Sequence, residues 1–252
     1  MPEGVQTLAY ADDLAILVKA RNERQLVEAA NDAMERVARW MDSNHLALAP
    51  EKTEATLLIG RKRCGDLEDL SLRDYRFKPK TQVKYLDVIL DRGMTFAPHI
   101  QEALGKAQRT VAALRRLMPR TRGAGEGKRR LLATVATSIA LYAAPVWVSA
   151  LKVKRNVDKM LSVQRGMAIG ICRAYRTADT QGVLVIARQI PWHLAAQERT
   201  LRHQDRRQTD PTLRSSKRER REATIAKWQE EWRLEAEGGQ WTRHMIPDLT
   251  HW

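Results

Sequence analysis

Apolar residues change their spacing near residue 92. Before it they alternate or form short runs, apart from one helical stripe over 26–41; after it they recur every three to four positions. Residues 6–10 (QTLAY) and 14–18 (LAILV) predict two strands, and Ala11-Asp12-Asp13 between them is short enough for a tight hairpin. Every position of 14–18 is apolar, which predicts burial on both faces. A helix follows, with Asn22 as its cap and Gln25 at the reciprocal capping-box position. Leu26, Val27, Ala30, Met34, Val37, Ala38 and Met41 form its inward stripe, and Asn44 ends it. Residues 46–48 and 55–59 predict two further short strands, with an exposed basic turn at 60–63. Alternation over 83–91 (VKYLDVILD) fits a strand or a tight hairpin. The order β-β-α-β-β is that of a sheet backed by a helix.

The second region reads as helical. Ile100, Leu104, Ala107, Val111, Leu114 and Met118 share one face of a helix that Pro119 stops. Residues 131–151 carry no charge and are long enough to span a bilayer. Their threonines and serines, Pro145 and basic flanks predict instead a buried helix pair. Further helices are expected over 157–175 and from Pro191-Trp192 to about residue 206. Residues 199–221 hold nine Lys or Arg against three Asp or Glu, as a solvated linker or helix tip does. Beyond them Trp228, Trp232, Trp241 and Trp252 predict a tail that packs on something.

Charge narrows the function classes. The 252 residues contain 44 Lys plus Arg and 30 Asp plus Glu, a net charge of +14 and a pI near 10.2. That balance suits a polyanionic partner, nucleic acid foremost. Cys64 and Cys172 stand alone, without zinc-site or disulfide-framework spacing, and a reduced intracellular compartment is the expectation. The chain opens directly before a strand and shows no signal-peptide pattern, so a fragment of a longer protein is expected.

Asp12 and Asp13 are the candidate chemistry. Adjacent carboxylates at a hairpin tip make a fixed electronegative point, the kind that holds Mg²⁺ for phosphoryl transfer. Aspartate is also an ordinary turn residue, and the pair alone leaves both readings open. The surroundings decide between them. Tyr10-Ala11-Asp12-Asp13 is followed by an amphipathic helix, then L-x-L-x-P-E-K-T, a basic turn and K-Y-L-x-V-x-L-D. This order resembles the palm of reverse transcriptases of non-LTR retrotransposable elements, type-1 and Jockey-like. The likeness continues through Lys128-Arg129-Arg130-Leu131-Leu132, residues 142–147 (YAAPVW), Ala174-Tyr175-Arg176-Thr177 and Trp241-Thr242-Arg243.

The resemblance implies RNA-directed DNA synthesis with an RNA template, a DNA primer and two Mg²⁺, and no membrane partner. Asp12 and Asp13 fall on the metal-binding motif. Lys52 falls where a lysine can stand near the departing pyrophosphate. Tyr85, Leu86 and Asp87 match the primer-grip hairpin, where the family usually has glycine in place of Asp87. The helical region resembles the thumb. There Arg109, Arg115, Arg116, Arg120, Arg122, Lys128, Arg129 and Arg130, with Glu126 the single acid of the span, suit sequence-independent phosphate contact. The expected architecture is α+β: a partial palm over 1–92, a helical thumb over 93–205 and a basic, Trp-containing extension over 206–252. The family's fingers and first catalytic aspartate are expected upstream of Met1, so this chain alone is expected to be inactive. The expected compartments are the cytoplasm and nucleus. The alternatives are a host-adopted nucleic-acid-binding module without catalysis and a basic scaffold for acidic partners.

Overall fold

Val5–Tyr10 (β1) and Asp13–Val18 (β2) pair antiparallel, from Val5 opposite Val18 to Tyr10 opposite Asp13. They begin a computed structural model that describes residues 4–59, 68–117, 119, 123–210, 212, 214–234 and 238–250. The chain divides into two units at Met94/Thr95.

The first unit holds one long helix and three separate two-stranded sheets, and the helix packs on the first two of them. Helix α1, Glu23–Ser43, starts where the Asn22 side chain accepts a hydrogen bond from the Gln25 backbone N–H at 2.9 Å. Its C-cap is Asn44. Val27, Ala33, Met34, Val37 and Ala38 are buried along it. Leu70 and Leu72 of β3 (Leu70–Leu72) join Val27, Met34 and Ala38 in a core that Ile16, Ala30, Leu48, Ala55 and Phe77 partly cover. Such a cluster is small: each buried Leu or Met contributes about 1.5–3 kcal/mol. Residues 70–77 also form a hairpin that the sequence pattern did not suggest. Strand β4 (Tyr75–Phe77) returns along β3 after Arg73, whose φ is +56°. Arg73 donates to both Asp42 carboxylate oxygens at 2.6 Å, tying that turn to the end of α1.

Three expectations are corrected here. Strand β2 is not buried on both faces, since Leu14 and Leu17 are each 43% exposed. Among the described residues β2 pairs with β1 alone, and α1 covers one face through Ile16. Residues 46–48 form no strand: the chain leaves α1 through His45 at φ +56°, and the Leu46 N–H donates back to the Met41 carbonyl. Residues 55–59 form no strand either: Thr56 and Lys80 make an isolated bridge, and the Ile59 N–H donates singly to the Arg92 carbonyl. The basic turn at 60–63 lies outside the described residues. Strands β5 (Gln82–Tyr85) and β6 (Val88–Asp91) close the unit as a hairpin.

The second unit is helical. Helix α2 (Ala97–Leu117) buries Ile100, Ala103, Leu104, Ala107 and Val111. Helix α3 (Glu126–Ala140) packs on it with alanines 133 and 136 fully buried, so the two backbones come close. A break precedes α4 (Ala144–Trp147) and a single turn over Val148–Lys152. Among the described residues no single helix is long and apolar enough to cross a membrane. The uncharged stretch passes that test only as a pair bent by 50°. Helix α5 (Lys154–Cys172) ends at Arg173, φ +59°, so residues 173–175 leave the helix expected there. Helix α6 (Thr180–Ile186), a further unexpected element, is capped by Asp179, which accepts from the Gly182 N–H at 2.8 Å. Helix α7 covers Trp192–Arg207.

Helices α8 (Lys217–Leu234) and α9 (Gln240–Met245) belong to the same unit. Ser216 and Glu219 cap α8 reciprocally, the Ser hydroxyl accepting from the Glu219 N–H at 3.1 Å and the carboxylate from the Ser216 N–H at 2.8 Å. Trp228 and Trp232 are buried, and the Trp232 indole N–H donates to the Ile246 carbonyl at 3.0 Å. Helix with small antiparallel sheets is an α+β composition.

Candidate metal-binding hairpin and basic surface

Because Tyr10 pairs with Asp13, Ala11 and Asp12 are the two corner residues of the β1–β2 turn. Ala11 takes φ +53°, a left-handed conformation that costs an L-residue about 1–2 kcal/mol. The tight register holds Asp12 at the apex despite that strain. Asp13 begins β2 on the same face as Tyr10, by the alternation of a strand. Both carboxylates are exposed, and neither side chain has a hydrogen-bond or ion-pair partner among the described residues. Their oxygens are therefore open to a cation. Hard carboxylate oxygens suit Mg²⁺, which takes one or two of them and completes its shell with water and phosphate oxygens. No group of three His, Cys, Asp or Glu that could hold a metal exists among the described residues. Two ligands fit such a site without completing it.

Lys52 ends a single turn of 3-10 helix over Pro50–Lys52 and is exposed. It forms no ion pair with Asp12 or Asp13. The structure does not bring these three side chains into contact.

The β5–β6 hairpin turns at Leu86 (φ +46°) and Asp87 (φ +62°), so both corners are left-handed, as in a two-residue primed turn. Tyr85 ends β5 opposite Val88. Positive φ at Asp87 is the physical reason glycine suits that position. The Asp87 carboxylate pairs instead with Lys84 Nζ at 2.7 Å.

The basic residues separate into groups. Arg109, Arg115 and Arg116 on α2 and Lys128 on the first turn of α3 are exposed. Arg130 is half-buried and paired with Glu126. Arg120 and Arg122 lie outside the described residues. Arg129 is corrected: it is 0% exposed. Its Nε donates to the Ala124 carbonyl at 2.7 Å, and its terminal nitrogens donate to the carbonyls of Gly170, at 2.8 Å, and of Pro119. Burial and nearby Arg173 lower its pKa. An arginine so enclosed joins α3 to the end of α5 and to the preceding loop, and cannot offer its charge to a phosphate.

The chain is 26% identical over 202 residues to the Retrovirus-related Pol polyprotein from type-1 retrotransposable element R1 2 of Nasonia vitripennis, covering 78% of this chain and 49% of that one. It is 26% identical over 260 aligned positions to the Putative 115 kDa protein in type-1 retrotransposable element R1DM of Drosophila melanogaster, covering 97% and 25%. A Probable RNA-directed DNA polymerase from transposon BS of the same fly is 24% identical over 180 residues, covering 71% and 20%. The chain is a relative of non-LTR retrotransposon Pol proteins. It spans about half the length of the first of these relatives and a quarter or less of the other two. No family profile matches the chain, and no solved structure matches it.

Within this Pol relative, a signal for Arg129 was present in the sequence. Arg129, Ala133, Ala136 and Ala140 are all buried, at the i, i+4, i+7, i+11 spacing of one helix stripe. Read with its neighbours, Arg129 stands on the apolar side of α3. Read as part of a Lys-Arg-Arg run, it looks like surface charge.

Proposed function

We propose that this chain supplies the C-terminal palm and thumb portion of an RNA-directed DNA polymerase, with an RNA template and a DNA primer as partners. The observation that carries the reading is the apex pair Asp12-Asp13, unpartnered among the described residues and held by a two-residue turn, in a chain whose relatives are named as Pol proteins and RNA-directed DNA polymerases. Residues 1–92 form the palm portion, 93–205 the thumb and 206–252 a basic extension. When bound, Mg²⁺ supplies activation of the attacking hydroxyl and charge stabilisation at the leaving oxygen. Asp12 and Asp13 bind it, Lys52 places a cation toward the leaving group, and Tyr85, Leu86 and Asp87 support the primer end. Arg109, Arg115, Arg116 and Lys128 meet duplex phosphates, with Arg120, Arg122 and Arg130 as further candidates. The proposed compartments are the cytoplasm and nucleus.

Two carboxylates do not assemble a two-metal site, so the 252-residue chain by itself is proposed to extend no primer. The test pairs two measurements. Mn²⁺ added to the chain should broaden backbone amide resonances around residues 10–15, and Asp12→Asn should abolish the broadening. On an RNA template with Mg²⁺ and all four nucleotides, the chain should give no primer extension. Broadening elsewhere but not at the hairpin overturns the metal assignment. Extension that Asp12→Asn abolishes overturns the inactivity.

A further inference from the structure

Two large aromatic side chains of the helical unit stand in solvent. Tyr175 is 80% exposed and Trp241 84%, whereas Trp147, Trp192 and Trp232 are sealed in the interior. Asp179 connects the two. Tyr175 opens a turn in which its carbonyl accepts from the Ala178 N–H at 3.1 Å, and the next residue is Asp179. The Asp179 carboxylate lies against the chain just before α9: a methyl group added to Gly238 would stand 2.1 Å from Asp179 Oδ1, and one on Gly239 3.0 Å from Oδ2. Trp241 follows on the first turn of α9.

The backbone beneath both aromatics is braced. Arg165 donates to the carbonyls of Arg176 and of Ala178, the second at 2.8 Å. Arg173, in the left-handed conformation that ends α5, donates to the Ala124 carbonyl at 3.3 Å. Arg243 lies over the Trp232 ring at 5.0 Å and donates to the Gly238 carbonyl at 3.0 Å. Exposed aromatics add nothing to the core, and a fixed backbone beneath them is organised in advance for a flat partner. The local charge says which. Arg173 and Arg176 flank Tyr175 and are exposed, residues 173–178 include no acid, and the Arg176 guanidinium has no partner among the described residues. Flat π faces interleaved with cations match bases joined by phosphates.

We propose that Tyr175 and Trp241 form a stacking platform for unpaired bases of single-stranded nucleic acid, with Arg173 and Arg176 on its phosphates. The platform rests on the nucleic-acid reading above and adds to it a place for an unpaired strand, held by its bases. Duplex binding through Arg109, Arg115, Arg116 and Lys128 is a separate contact.

The full chain is titrated against a fluorescent single-stranded oligonucleotide and against its duplex. Tyr175→Ala and Trp241→Ala should each weaken single-strand binding about ten-fold, the scale of one lost base–aromatic stack. Duplex affinity should stay within about two-fold, because phosphate contacts carry it. Tyr175→Phe should bind single strands as the parent does. An oligonucleotide bearing 5-iodouracil should photo-crosslink to the peptides containing Tyr175 or Trp241. If both alanine variants bind single strands as tightly as the parent, or lose single strand and duplex equally, the platform is wrong while the duplex reading stands. If the parent chain binds neither form, the proposed function falls and the platform with it.

Discussion

Asp12 stands at the apex of a two-stranded sheet with no partner among the described residues, whereas Asp179 in the helical unit accepts the Gly182 N–H and lies against two glycines. Arg115 and Arg129 make a parallel contrast within the second unit: one exposed near the end of α2, the other enclosed by three backbone carbonyls. Residue type therefore does not tell a ligand-facing group from a structural one; the covering of its neighbours does. The first unit has thin sheets and a small apolar core, and the carboxylates of Asp12 and Asp13 at its first hairpin turn are exposed. The second has layers of helix deep enough to enclose polar groups, provided each finds partners. Gln164 is fully buried there because its side chain accepts from the Trp192 N–H and donates to the Ile190 carbonyl, both at 2.8 Å.

The contrast breaks most sharply at Arg129. Arg129→Ala removes a buried guanidinium and its hydrogen bonds to the carbonyls of Pro119, Ala124 and Gly170, so the second unit should lose about 1–3 kcal/mol of stability. Arg129→Lys should rescue little, since one ammonium cannot reproduce a planar fork reaching carbonyls on several sides. Urea unfolding followed by tryptophan fluorescence measures both. If Arg129→Ala leaves the midpoint unchanged but weakens duplex binding, Arg129 is a phosphate contact after all and the division between enclosed and exposed arginines fails.

Legibility followed the same division. The β1–β2 hairpin, the Asn22 cap, the stripe of α1 and the start of α7 at Trp192 were readable because each has a local cause: a turn, a capping side chain or a helical period. What was not readable depends on partners distant in sequence. Apolar residues 14–18 look like a central strand, yet whether a strand is central is decided by its neighbours, and β2 has one. Residues 55–59 have strand composition but meet other backbone only singly, as where the Ile59 N–H reaches the Arg92 carbonyl. The hairpin over 70–77 alternates too briefly to stand out, and is held by contacts with α1 such as Asn31, whose side chain accepts from the Ser71 N–H at 3.0 Å. At the candidate site, the apex position of Asp12 was legible in the motif. The inward side of Arg129 was legible in its stripe with Ala133, Ala136 and Ala140, but its distant partner, the Gly170 carbonyl, was not.

A smaller effect is expected at Asp179, the enclosed counterpart of Asp12. Asp179→Ala removes the α6 cap and should cost the second unit about 1 kcal/mol, while Asp179→Asn keeps an accepting oxygen and should recover most of it. Asp12→Ala should leave the first unit's stability unchanged, because the carboxylate holds nothing in place. Equal losses at the two positions would erase the distinction.

His99 sharpens the contrast through pH, with a gentler effect. It is buried on α2 against Trp147, ring centroids 6.1 Å apart. Burial pushes its pKa below the ordinary 6.5, with Glu102 opposing and Lys106 adding to the shift. The unfolded chain then takes up the proton more readily than the folded one. The stability from a neutral His99 is complete above about pH 6.5 and falls as the pH drops below it. His99→Phe keeps a ring beside Trp147 and removes the titration, so its unfolding free energy should decline less between about pH 7.5 and 5 than that of the parent. An unchanged slope would mean that His99 does not titrate differently on folding.

The smallest expected change tests whether the first unit's turns are strained for their own fold or for a ligand. Leu86 and Asp87 both hold positive φ, which costs an L-residue about 1–2 kcal/mol unless, as for Asp, its short polar side chain bonds locally. Asp87→Gly removes the strain at one corner. It also frees the unfolded chain, at a cost of about 0.4–1 kcal/mol, and removes the exposed pair with Lys84, worth about 0–1 kcal/mol. These opposing changes partly cancel, leaving a net effect within about 1 kcal/mol in either direction. Leu86→Asn has no ion pair to lose and places a residue tolerant of left-handed backbone at the other corner, so it should stabilise the unit slightly more. Urea unfolding of the two variants side by side measures the difference. A loss above about 1 kcal/mol from Asp87→Gly would mean that the aspartate holds the turn through its side chain. In that case a carboxylate bonded to Lys84 does at this corner the work that the backbone freedom of glycine would do.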